Sequence, residues 1–170
     1  MLALKLGLSL VSTPILGGWS PDDETSLVAW YQNQVGITLN GSDVSQWDDS
    51  ATAGLYDMVQ ATDTEQPAYS GGVLTFVSAN DENLQTAGQI SLTADFTLGL
   101  RINTSTTNGS FLADNTTANE FFKYSSSSRV LFKIAGSAST ALDLDSGTFG
   151  DDYLVITRAS DVLTLYKNGV

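Results

Sequence analysis

The chain has 170 residues, a net charge of −12 from seven basic and nineteen acidic side chains, and neither cysteine nor histidine. Disulfides, thiolate metal sites, cysteine nucleophiles, Ser-His triads and zinc-histidine chemistry are therefore excluded within it, and the acidity repels phosphate backbones, so nucleic acid is not an expected partner. The length suits one domain that buries roughly 70% of its unfolded surface, and polarity carried mainly by Ser, Thr, Asn, Gln and Gly favours strands and turns over long helices.

The first segment, residues 1–16, is apolar but not continuously so. Leu2, Leu4, Leu6, Leu8 and Leu10 alternate with Ala3, Lys5, Gly7 and Ser9, the period of a half-buried strand, and Lys5 sits inside the run where a signal peptide would place it before. A pairing arm is expected here rather than a cleaved leader. No stretch reaches the roughly 18 apolar residues of a membrane span, so no membrane partner is expected. Pro14, Gly17-Gly18 and Pro21 then break regular structure, which makes residues 1–23 an arm and linker and residues 24–170 the domain. Leu27 to Gln32 read as a strand or extended segment, and Asn40-Gly41 as a tight turn before the strand Val44 to Trp47.

From Val44 to Phe76 runs the stretch around which the rest is arranged. A polar break at Asp48-Asp49-Ser50 follows Trp47, a second unit spans Tyr56 to Gln60, Gln66-Pro67 stops it, and Val73 to Phe76 forms a strand. Phe96, Leu98, Leu100 and Ile102 then alternate with Thr97, Gly99 and Arg101, the clearest strand pattern in the chain. Shorter strands are expected at Phe111-Leu112, Phe121 to Tyr124 and Val130 to Ile134, with loops at 104–109, 114–119 and 125–128. A hairpin is expected from Tyr153 to Arg158 and Val162 to Tyr166 around Ala159-Ser160-Asp161. Asn168-Gly169 announces a further tight turn without its return strand, so that either the chain is cut short at Val170 or the sheet is completed from elsewhere. The expected core includes Trp30, Trp47, Phe76, Phe96, Leu98, Leu100, Phe132, Val155 and Leu165.

The order Trp47-Asp48-Asp49-Ser50, Gln66-Pro67-Ala68-Tyr69, then a Gly72-Val73 strand closing on Phe76, resembles the laminin-G-like branch of the concanavalin A-like lectin and glucanase domains. The Leu27-to-Trp30 unit and Asp81-to-Leu84 fit the same pattern, and the resemblance covers roughly residues 27–170. It implies an all-β, antiparallel two-sheet jelly-roll sandwich, here with an extended N-terminal β arm. Domains of this stripped form are similar to accessory proteins of tailed-phage virions, capsid decoration proteins and tail parts among them. Implied partners are other virion proteins such as the major capsid protein, or copies of this chain, with host-surface glycans as a further class; the implied location is the virion surface. The alternative is a carbohydrate-binding, lectin-like module of a secreted or cell-surface protein.

Glucanases of this fold carry two Glu and an Asp on one strand, and retaining hydrolysis needs two carboxylates about 5 Å apart. Glu24, Glu65, Glu82 and Glu120 each stand alone, so no enzymatic activity is expected. Calcium is the one cofactor for which ligands can be named: Asp143, Asp145, Asp151 and Asp152, with Asp48-Asp49 a second set, although no EF-hand spacing is met. A solvated acidic loop is the plainer reading. Sugar binding requires an exposed aromatic ring beside amide and carboxylate acceptors, for which Trp19, Tyr69 and Tyr124, and also Trp47, are the candidates. The sequons at Asn40, Asn103, Asn108 and Asn115 are what this composition produces by chance.

Overall fold

The computed structural model describes residues 20–103, 109–113, 121–133 and 138–170; the leucine-alternating arm at Leu2, Leu4, Leu6, Leu8 and Leu10, and Trp19, lie outside them. Within the described residues the protein is an antiparallel all-β sandwich with no α-helix, only three single-turn 3-10 segments. The strands are β1 (Ile37–Asn40), β2 (Asp43–Trp47), β3 (Met58–Val59), β4 (Ala68–Ser70), β5 (Val73–Thr75), β6 (Gln85–Thr86), β7 (Phe96–Asn103), β8 (Ser110–Ala113), β9 (Phe121–Ser126), β10 (Arg129–Lys133), β11 (Thr140–Asp143), β12 (Asp151–Ala159) and β13 (Val162–Lys167). They form three sheets: β5-β4-β2-β3-β6 with β1 added on β2, then β11-β10-β9-β8, then β13-β12-β7.

Turn chemistry sets several of the pairings. Gly41 at φ +65° closes β1 onto β2, and Gly71-Gly72 at +60° and +81° close β4 onto β5. Such left-handed backbone costs glycine nothing, and it matches the twist of the flanking strands. Ser160 and Asp161, at φ 49° and 65°, make the corresponding turn between β12 and β13, where the sequence announced a hairpin.

The apolar core lies between the second and third sheets. Phe122, Tyr124, Val130, Phe132 and Leu142 come from β9, β10 and β11, Leu154 and Ile156 from β12, and Phe149 from the loop before it. Phe122 stacks at 4.6 Å on Phe132 and meets Phe96 edge-on at 6.2 Å, separations at which aromatic pairs attract beyond their area. Full burial of an aliphatic side chain contributes about 1.5–3 kcal/mol, and Leu154 and Ile156 are both wholly buried. Phe96, Leu98, Leu100 and Leu165 pack on this cluster, as their alternation requires.

Other expectations are corrected. Val155 stands between Leu154 and Ile156, so the strand period turns it to the opposite face of the sheet. Phe76 falls just past the end of β5 and is 52% exposed. Trp30 and Trp47 are half-buried beside the first sheet and do not join the aromatic cluster. Residues 27–32 take the second of the two forms expected of them, an extended segment, and make no ladder. They are held from the side instead, by Ser50 N–H to the Trp30 carbonyl at 2.7 Å and by Tyr31 Oη donating to the Tyr56 carbonyl. Ser125 and Ser126 belong to β9 rather than to a loop, and both β1 and β11 are strands that the pattern did not announce.

Candidate functional site

Around Asp49 the Val44-to-Phe76 stretch folds into a buried hydrogen-bond hub. The Asp49 carboxylate is 6% exposed and accepts three backbone N–H groups, from Trp30 at 2.9 Å, Ala51 at 3.0 Å and Tyr56 at 3.3 Å, while its own N–H donates to Asp57 Oδ1 at 2.8 Å. One charge thus ties the extended segment before β1 to the turn after β2. A buried carboxylate is tolerable only with such donors. The Trp47 indole N–H is shared between the carbonyls of Gln32 and Val35, each at 3.1 Å, and its ring lies 5.6 Å from that of Tyr31. Burial, with the charges of Asp49 and Asp57 close by, pushes the Tyr31 hydroxyl well above the ordinary tyrosine range.

A second buried polar pair closes the same unit. Gln66 donates to the Gln60 carbonyl at 2.8 Å and accepts from Asn40 at 3.2 Å; the Gln60 amide reaches Glu65 at 3.3 Å, and its oxygen takes the Thr62 N–H at 3.0 Å. Pro67, which follows Gln66, is fully buried, and its carbonyl accepts Val44 N–H at 2.9 Å. Within the two segments Trp47, Asp49 and Gln66 therefore act as internal fasteners that bond to backbone, while Asp48 accepts from the Gln46 side chain at 2.6 Å. Sequence reasoning placed Asn40 in a turn and Gln66 before a proline stop but did not single out their side chains, or Asp57 and Gln60, as hydrogen-bond partners; the only sign was amide and carboxylate residues set among apolar ones.

The four candidate calcium ligands are placed apart in their roles. Asp143 lies in β11 and takes a two-pronged ion pair from its cross-strand partner Arg129, with Nε to Oδ1 at 2.6 Å and Nη2 to Oδ2 at 2.9 Å. Asp151 opens β12 and receives Arg101 in the same way, at 3.0 and 2.9 Å. In each case the guanidinium hydrogen bonds hold the carboxyl below its usual range. Asp152, 5% exposed, faces the other way: it accepts Gly150 N–H at 2.6 Å and the Asn168 amide at 2.7 Å, and Lys167 Nζ stands 3.5 Å away. Burial pushes its carboxyl up, and these donors and the cation more than offset that, leaving it lowered. Asp145 is exposed in the turn between β11 and β12. Among the described residues no group of three or more carboxylates stands close enough to share a metal ion, Asp48 and Asp49 included.

The candidate stacking rings also separate. Tyr124 is 2% exposed, packed against Phe149 at 4.8 Å and Phe111 at 5.2 Å, and is a core residue out of reach of any sugar. Tyr69 is half-buried in β4 opposite Leu74. Of the isolated glutamates, Glu24 is bound by Ser26, whose hydroxyl and N–H hold its carboxyl below the ordinary value, and Glu82 accepts Val77 N–H at 2.7 Å. A shallow cleft of about 400 Å³ is bordered by Asp22, Glu24, Thr25, Leu27, Thr52 and Ala53, with no aromatic wall.

No family model matches the chain, and neither a curated protein nor a solved structure matches it. Fold and site together define an antiparallel β-sandwich in which the Asp49 and Gln66 side chains hold its own backbone.

Proposed function

We propose that this protein is a non-enzymatic structural or accessory component of a tailed-phage type of virion, a capsid decoration protein or tail part, with a laminin-G-like jelly-roll domain at residues 24–170 that docks through the arm at 1–23. The observation that carries this reading is the use made of buried polar residues within the Val44-to-Phe76 stretch. Asp49, Gln60 and Gln66 are buried and bonded inward, so the stretch that resembles the lectin and glucanase domains serves as scaffold. Burial of Tyr124 removes one of the rings on which a glycan-binding alternative would rest. The leucine face of the arm supplies the docking energy, on the order of 1.5–3 kcal/mol for each leucine that becomes fully buried. Its partners are the major capsid protein, another virion component, or further copies of the chain.

Deleting residues 1–12 and measuring incorporation into the parent particle or oligomer tests this. Loss of incorporation with the fold retained is expected, together with silence on an array of bacterial-surface glycans. Intact assembly of the truncated protein, or a natural N-terminus after Gly17 or Gly18 by mass spectrometry, overturns the docking role. Strong binding to one defined glycan by a monomer replaces the reading with the lectin-like one.

A further inference from the structure

Of the sheet edges among the described residues, β7 offers the longest open one. Its eight residues pair with β12 along the whole strand, and no described strand lies on its other side. The direction of its free backbone groups follows from β12. Tyr153, opposite Arg101, turns its carbonyl to Asn168 N–H at 2.8 Å and its N–H to the Asn168 side chain at 2.9 Å, both away from β7. Antiparallel alternation then points the N–H and C=O groups of Thr97, Gly99 and Arg101 out of the open edge.

One face of that edge is apolar and unfinished. Phe96, Leu98, Leu100 and Ile102 all pack on the core cluster yet remain only partly buried, whereas Leu154 and Ile156, their neighbours on the inner strand, are fully buried. A further strand with apolar residues at every second position would complete that face. Leu2 to Leu10 have that pattern over nine residues, and Lys5 is the sole charged side chain among the first nineteen residues of a chain whose net charge is −12. The other edges fit less well. At β13, Val170 already exchanges both backbone bonds with Lys167, at 2.8 and 3.1 Å, and β5 is three residues long.

We propose that residues 2–10 of one copy add as a strand to the outer edge of β7 in a second copy. The leucines continue the core face beside Leu98 and Leu100, and Ala3, Lys5, Gly7 and Ser9 lie on the outer face beside Thr97, Gly99 and Arg101. Strand addition supplies affinity through main-chain bonds and register through alternate side chains. The linker from Pro14 to Pro21 spans up to about 26 Å, enough to leave its own domain. This rests on the reading that the N-terminal arm docks.

The absence of cysteine makes disulfide trapping clean. One batch carries Thr97→Cys, and a second, differently tagged batch carries Ala3→Cys, Lys5→Cys or Ser9→Cys; the batches are mixed and oxidised. A mixed-tag disulfide dimer is expected for Thr97→Cys with at least one arm variant, several-fold above that for the same arm variants paired with Val73→Cys on β5 or Thr164→Cys on β13. Equal or greater trapping at either control strand overturns the assignment of the edge. So does closure of the bond only within one chain when both cysteines are placed on it. If deleting residues 1–12 dissociates the oligomer while Thr97→Cys is never trapped, β7 is wrong and arm docking stands; if the deletion changes nothing, both fail.

Discussion

Asp49 accepts the backbone N–H of Trp30, nineteen residues earlier in the chain, at 2.9 Å. That one contact joins a segment with no ladder of its own to the end of β2, and it does so with a carboxylate that also holds Ala51 and Tyr56. Hydrogen bonds to charged groups contribute about 1.5–3 kcal/mol, and a donor left unpaired in the interior costs about 1–3 kcal/mol.

Asp49→Ala is therefore expected to destabilise the protein by about 2–4 kcal/mol, the combined effect of a lost charge-assisted bond and stranded N–H donors. The urea midpoint measures it. A change below about 0.5 kcal/mol, the range of ordinary surface substitutions, would show that the hub contributes little.

Tyr124→Phe acts in the other direction. The Tyr124 hydroxyl is buried and has no hydrogen-bond partner among the described residues, so its removal is expected to leave stability unchanged or raise it by up to about 1 kcal/mol at neutral pH. Burial and the charge of Asp152 push this hydroxyl up to about 12. Its folded value lies above the unfolded one near 10, so the folded state binds the proton more tightly. The related stability is complete below pH 10 and is lost as pH rises from 10 towards 12. Unfolding followed across that window should fall less steeply for Tyr124→Phe than for the parent; parallel curves would count against the assignment.

Asp152 is expected to matter most above its own titration. Its folded carboxyl is lowered, so the stability it supplies is present above the unfolded value near 4 and is lost as pH falls through the folded value. Asp152→Ala frees Gly150, Asn168 and Lys167 together and should cost about 2–4 kcal/mol at pH 7. At pH 3 the cost should be smaller. An equal cost at both values would mean that packing, not charge, is what the residue supplies.

Gly36 provides a backbone test. It has φ +67°, and a Cβ placed there would stand 2.7 Å from Asp48 Cβ, whereas one at Gly99 would meet nothing within 4 Å. Gly36→Ala should cost more than about 1 kcal/mol and Gly99→Ala should be close to neutral, read as urea midpoints of the purified variants. A neutral Gly36→Ala would indicate that β1 and the turn after Trp47 can separate without loss.

The sequence by itself determined the all-β class, the long strand Phe96–Asn103, the hairpin around Ser160-Asp161 and the inward set Phe96, Leu98, Leu100, Phe132 and Leu165, because period-two alternation and turn residues are local properties. The tertiary structure decided what registers and distant contacts decide. Asp143 became the cross-strand partner of Arg129 once β10 and β11 were aligned, Val155 was turned outward by its two buried neighbours, and Tyr124 was drawn into the core by Phe111 and Phe149. Asp49 was a candidate calcium ligand in the sequence, and Gln66 only the residue before a proline stop. Only the approach of Trp30, Tyr56 and Gln60 showed them to be buried, since whether a polar side chain faces solvent or a backbone donor depends on where the rest of the chain has come to lie.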